Sequence, residues 1–161
     1  MTPVFNIDEI FALAEEIERN GAKFYRKALL SFNDGKIKKI LEDLAEMEDR
    51  HESFFIDLRK QIREEERRAE SFDPYGDAER YLRAIAGGYI FKKDKDPSTL
   101  LTGKEDKSEI ITIAIGLEKD SIAFYTGIRE AVPEDLGKGR IAEIIAEEMR
   151  HVIILGEMRD K

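Results

Sequence analysis

The two histidines of this 161-residue chain each close a Glu-x-x-His: Glu48-Asp-Arg-His51 and Glu148-Met-Arg-His151. Residues three apart on a helix project to one side, so each motif offers a carboxylate and an imidazole as a pair of metal ligands. The copies lie 100 positions apart, and at the same offset Glu18 and Tyr25 recur as Glu118 and Tyr125. Glutamate is about one residue in seven, so both histidines gain such a partner by accident about once in fifty chains of this composition. Delivered by four helices, Glu18, Glu48, His51, Glu118, Glu148 and His151 would make a site for two metal ions.

Four segments carry the helical period that could position them. In the first, Ile7, Phe11, Ala14, Glu18, Gly21, Tyr25, Ala28 and Phe32 alternate steps of four and three, the seam of a bundle helix. The second runs Ile37, Leu41, Leu44, Glu48, His51, Phe55, Leu58, Ile62, and the third Ile111, Ala114, Glu118, Ser121, Tyr125, Ile128, Val132. The fourth is Ile141, Ile144, Glu148, His151, Leu155, Met158. Asn33-Asp-Gly35 and Pro133 make short breaks within each pair, which predicts two antiparallel hairpins. The expected architecture is all-α: helices over about 6–32, 35–68, 106–132 and 134–159, in one domain spanning 1–161. A crossover over about 70–105, with a short helix near Asp77 to Ala86, joins the hairpins. A helix of about 26 residues is ~39 Å long, and a stretch of that length can travel back along it. The second hairpin reads as a degenerate copy of the first about a pseudo-twofold axis.

Location makes the glutamates informative. Glu15, Glu42 and Glu130 are expected on the solvent face, whereas Glu18, Glu48, Glu118 and Glu148 fall among Ile, Leu, Ala and aromatic residues. Four buried carboxylates repel one another and must protonate or find cations. The seam contains no lysine or arginine to match them. Two divalent ions balance four negative charges, so metal is favoured over a salt-bridge network. Four carboxylates and two imidazoles suit iron; a manganese or mixed iron–manganese pair fits the same ligands. Glu18 and Glu118 would be terminal ligands, Glu48 and Glu148 bridges, and His51 and His151 caps on one ion each.

Composition limits the alternatives. With 27 basic and 35 acidic residues the formal charge is −8, which disfavours nucleic acid or an anionic membrane as partner. There is no run of membrane-spanning length, the start is no signal peptide, and a cytoplasmic location is expected. Cysteine is absent, so these residues form no thiolate or iron–sulfur centre. Charged residues make up 39% of the chain against one glutamine and three asparagines, a mix expected of a heat-loving source.

One Glu on each of two helices plus Glu-x-x-His on each of two others resembles the ferritin-like di-iron carboxylate proteins. Glu18-Arg-Asn-Gly21-Ala-Lys-Phe24-Tyr25 and Glu118-Lys-Asp-Ser121-Ile-Ala-Phe124-Tyr125 are similar to the first and third helices of the rubrerythrin type. The resemblance implies a four-helix bundle, as a homodimer, that binds two irons. It implies reduction of peroxide or dioxygen in oxidative-stress protection, with electrons from a separate donor such as a rubredoxin or flavoprotein. The chain departs from the type in lacking a cysteine-rich rubredoxin domain. It also has Ala114 and Ile115 where a further third-helix glutamate is typical, which brings its ligand set closer to that of bacterioferritin. Only ten residues follow His151, so a storage cage is not expected.

Other residues carry two readings each. The hydroxyls of Tyr25 and Tyr125 could orient carboxylates of facing helices, or find other partners in the core. Gly21 and Ser121 could leave room beside the ligands or let helices approach. Phe24, Phe54, Phe55 and Phe124 are expected to pack. Asp49, Asp120, Arg50 and Arg150 are expected on the surface, as is the charged run Arg63 to Arg68. Gly87-Gly88-Tyr89-Ile-Phe91 is expected to be buried at a dimer contact.

Overall fold

The computed structural model describes residues 7–62, 75–85, 96–132 and 134–161. Its helices are α1 (Ile7–Ala28), α2 (Gly35–Gln61), the short α3 (Asp77–Ile85), α4 (Lys107–Ala131) and α5 (Lys138–Asp160). Single 3₁₀ turns lie at Leu29–Ser31, Pro97–Leu100 and Glu134–Leu136. There is no strand among the described residues.

Local chemistry sets the helix ends. Asp34 caps α2, accepting hydrogen bonds from the amides of Lys36 at 2.8 Å and Ile37 at 3.3 Å. Asp106 and Glu109 form a reciprocal capping box at the start of α4. Between the second pair of helices the chain turns at Gly137, whose φ is +84°. Leu58 and Phe54 carbons would lie 3.3 Å from a Cβ there. That left-handed residue explains why α5 begins at Lys138 and not near 134, since a continuous helix cannot pass through it. The first helix likewise tightens into a 3₁₀ turn after Ala28, and α2 stops at Gln61 because Ile62 is extended. Pro133, the run Arg63–Arg68, residues 72–74 of the Phe72–Gly76 segment and the Gly87–Phe91 stretch lie outside the described residues.

Cross-helix pairs give the directions. Arg59 binds Asp8, Arg19 binds Glu52 and Arg26 binds Asp49, in opposite order along α1 and α2, so these run antiparallel. Tyr25 meets Glu118 while Tyr125 meets Glu18, which makes α1 and α4 antiparallel too. Helix α2 is therefore parallel to α4, and the connection between them must travel the length of the bundle. Helix α3 packs on α4 at Gly127, where a Cβ would lie 2.9 Å from Leu82 and Tyr81 carbons. The Tyr81 hydroxyl donates to the Ala123 carbonyl at 2.9 Å.

The seam positions form the core, with Gly21, Phe32 and Ile37 only half-buried. Two apolar clusters result. One joins the start of α1, the end of α2, the end of α4 and the start of α5 through Phe11, Phe55, Tyr125, Ile128, Ile141 and Ile144. The other joins the opposite ends through Phe24, Leu41, Leu44, Ile111 and Leu155. Each large side chain buried this way contributes about 1.5–3 kcal/mol. The glutamates and histidines form a polar layer between the two clusters. One surface expectation fails: Glu15 is buried, its carboxylate 3.3 Å from Arg59 on α2, so a partner across the hairpin draws it inward.

Candidate metal centre

Helix α1 brings Glu18 to the layer, α2 Glu48 and His51, α4 Glu118, and α5 Glu148 and His151, all of them buried. His51 Nδ1 lies 2.9 Å from Glu148, 3.4 Å from Glu18 and 3.6 Å from Glu48. His151 Nδ1 lies 3.0 Å from Glu148, 3.1 Å from Glu48 and 3.4 Å from Glu118. The imidazole rings are nearly parallel, 6.0 Å apart. Two overlapping groups result, Glu18–Glu48–His51–Glu148 and Glu48–Glu118–Glu148–His151, each with ligand atoms within 4.8 Å of one another. Glu48 and Glu148 are common to both.

The donor set fits a metal. Among the described residues, both Nδ1 atoms and both Glu148 oxygens are buried without a properly directed hydrogen bond, although the two sets lie close together. Such atoms are normally satisfied. Here they converge on shared space instead of on one another, which is what ligands around a cation do. Without a cation the layer is strained electrically. Burial, reinforced by the charges of Glu118 and Glu18, pushes the Glu148 carboxyl up to about 8. Burial pulls the His151 imidazole down, but the surrounding carboxylates of Glu118, Glu148 and Glu48 outweigh that and push it up to about 12. His51 is raised by the same balance.

The tyrosines take the first of their two readings. Tyr25 donates to Glu118, and Tyr125 donates to Glu18, so each phenol spans the bundle to the other copy's carboxylate. Burial, then the adjacent glutamate charges, raises both phenols well above their ordinary value, which keeps them protonated as donors. Asp49 stays on the surface, paired with Arg26, and Arg50 lies 3.9 Å from Glu46.

Gly21 and Ser121 line a cavity of about 20 Å³ with Ile17, Asn20, Leu117 and Pro97, beside Glu48 and Glu118. A Cβ on Gly21 would sit 3.4 Å from Glu48 Cγ, so glycine keeps the space against that carboxylate open. The volume suits about one water or another molecule of one or two heavy atoms.

Glu147 is the residue that sequence reasoning missed. Its carboxylate accepts from His51 Nε2 at 2.6 Å, and Arg140 lies 3.3 Å from its other oxygen. The offset of 100 hides it, because position 47 is methionine. The available signal was its place at the edge of the seam, seven residues after Arg140 and four before His151.

A family model for rubrerythrin matches residues 9–155. The structure also resembles that of a ferritin-like diiron-carboxylate protein from Thermotoga maritima, with a TM-score of 0.73 at 23% identity, covering 100% of this chain and 99% of that one. That likeness establishes the ferritin-like fold. No curated protein sequence matches the chain. Because the family match runs from the first turn of α1 to Leu155 in α5, across every helix that contributes to the cluster, the chain belongs to the rubrerythrin family.

Proposed function

We propose that this single ferritin-like domain binds two iron ions at Glu18, Glu48, His51, Glu118, Glu148 and His151, and reduces hydrogen peroxide or dioxygen. The observation that carries this reading is the convergence of two unpartnered imidazole Nδ1 atoms and four buried carboxylates on one space. Glu18 with His51, and Glu118 with His151, would each hold one ion, with Glu48 and Glu148 between them. Iron held there would supply the two electrons that, with two protons from solvent, convert one hydrogen peroxide into two waters. Tyr25 and Tyr125 fix the terminal carboxylates, so the ligands are oriented before any ion arrives. The cavity beside Glu48 and Glu118 admits a small oxidant and excludes an organic substrate. With no cysteine in the sequence, electrons would come from a separate donor such as a rubredoxin or flavoprotein.

The test is anaerobic loading with ferrous iron, then parallel titration with peroxide and dioxygen. An absorbance change complete at about one peroxide per two irons supports the proposal; inertness to both oxidants refutes it. A second reading, ferrous-iron oxidation and handling, draws on Ala114 and Ile115, which are buried and apolar where a further carboxylate would favour peroxide chemistry. Faster turnover with dioxygen and added ferrous iron than with peroxide would select it. By size-exclusion chromatography we expect a dimer.

A further inference from the structure

The two halves of the polar layer match in their ligands but not behind them. His51 Nε2 donates to Glu147 across the α2–α5 interface, and Arg140, earlier on α5, lies against that carboxylate. His151 Nε2 is fully buried and has no hydrogen-bond partner among the described residues. The residues offset by 100 from Arg140 and Glu147 are Ile40 and Met47, and neither carries a carboxylate or other strong acceptor.

From this asymmetry we infer that Glu147 is a positioning residue that makes the two ion positions unequal: the one capped by His51 binds metal more tightly and fills first. The inference rests on the proposed two-ion site. A carboxylate on the distal N–H of a ligand histidine holds the proton on Nε2, leaves the Nδ1 lone pair free, fixes the ring and makes that nitrogen a stronger base. Arg140 holds Glu147 in place for this. For His151 the same tautomer buries an N–H that no described residue accepts, so its metal-ready form is disfavoured. Loss of such an outer partner typically lowers metal affinity 10–100-fold.

Metal-free protein should be titrated anaerobically with Co²⁺, followed by calorimetry and by the visible absorption of the bound ion. Two resolved steps are expected, one equivalent each. Glu147→Ala should weaken the first step 10–100-fold and leave the second unchanged, merging the two. Glu147→Gln, which keeps an acceptor without the charge, should recover part of the loss. His151→Ala should keep the tight step and His51→Ala should not. Far-UV circular dichroism of each metal-free variant establishes that it is folded. Two equal steps in the native chain, or equal weakening of both steps by Glu147→Ala, would overturn the inference while leaving a two-ion site. Failure of the native protein to bind two equivalents would remove the site itself, and the inference with it.

Discussion

At the scale of single residues, the tyrosines show how much a buried layer depends on donors outside its ligand set. The Tyr25 and Tyr125 hydroxyls bond Glu118 and Glu18, both of which are buried. Tyr→Phe at either position should destabilise the protein by about 1.5–3 kcal/mol, the range for a buried hydrogen bond to a charged group. Urea denaturation of the metal-loaded variants measures it, and additive losses in the double variant would show that the two bonds act independently. Titration gives a second prediction at this scale. In the metal-free protein Glu148 is raised from 4.5 to about 8 and His151 from 6.5 to about 12. The folded chain therefore binds more protons than the unfolded one, and stability falls as pH rises. The histidine contribution is whole below its unfolded value and is lost as pH climbs toward the folded one. The raised Glu148 adds a penalty that begins near the ordinary carboxylate value and grows up to about 8. The melting midpoint of chelator-treated protein should drop by roughly 5 °C between about pH 5.5 and about pH 8. Metal binding displaces those protons, so the midpoint of loaded protein should not follow this trend.

At the scale of elements, the turn before α5 sets the register that places Glu148 and His151 against α2. Gly137 sits at φ +84°, and Leu58 and Phe54 already press on the point where a Cβ would go. Gly137→Ala should cost about 1–3 kcal/mol from the left-handed backbone and the contact together. Thermal melting reads the loss, and reduced metal occupancy after dialysis would show the register moving with it. The seam was legible because it is periodic: each of its four rows alternates steps of four and three, and those rows are buried apart from three half-buried positions. The ends were less legible. A helix stops where a single residue leaves the helical region, as Ile62 and Gly137 do, and periodicity does not register one residue. Glu15 was misread for a related reason, since its partner Arg59 belongs to another helix and is 44 positions away in the chain.

At the scale of the molecule, the bundle holds a charged layer between two apolar clusters, and this arrangement predicts how fold and metal are coupled. Without cations, four carboxylates share the layer with two imidazoles. Divalent ions that bind the folded chain stabilise it by mass action, about 4 kcal/mol at a thousandfold excess over the dissociation constant. Chelation should thus lower the melting temperature by about 10 °C, and ferrous iron or Co²⁺ should restore it. Magnesium, which does not select imidazole, should not. No described helix is long and apolar enough to cross a membrane.

The sequence by itself determined the helical class, the four seams and the six side chains of the layer. Each is written as a local spacing or a repeated one, and a helix turns spacing into direction. The expectation of metal came from the same placement, because carboxylates among apolar residues must protonate or find cations wherever the helices meet. Only the tertiary structure decided which groups stand behind those ligands. The crossed tyrosine bonds, the cavity at Gly21 and the Glu147 carboxylate on His51 all join atoms of different helices, and no period within one helix encodes them. The repeat at offset 100 even concealed the last of these: the counterpart of Glu147 is Met47, so the glutamate has no echo in the first hairpin and resembles any other charge on a helix surface.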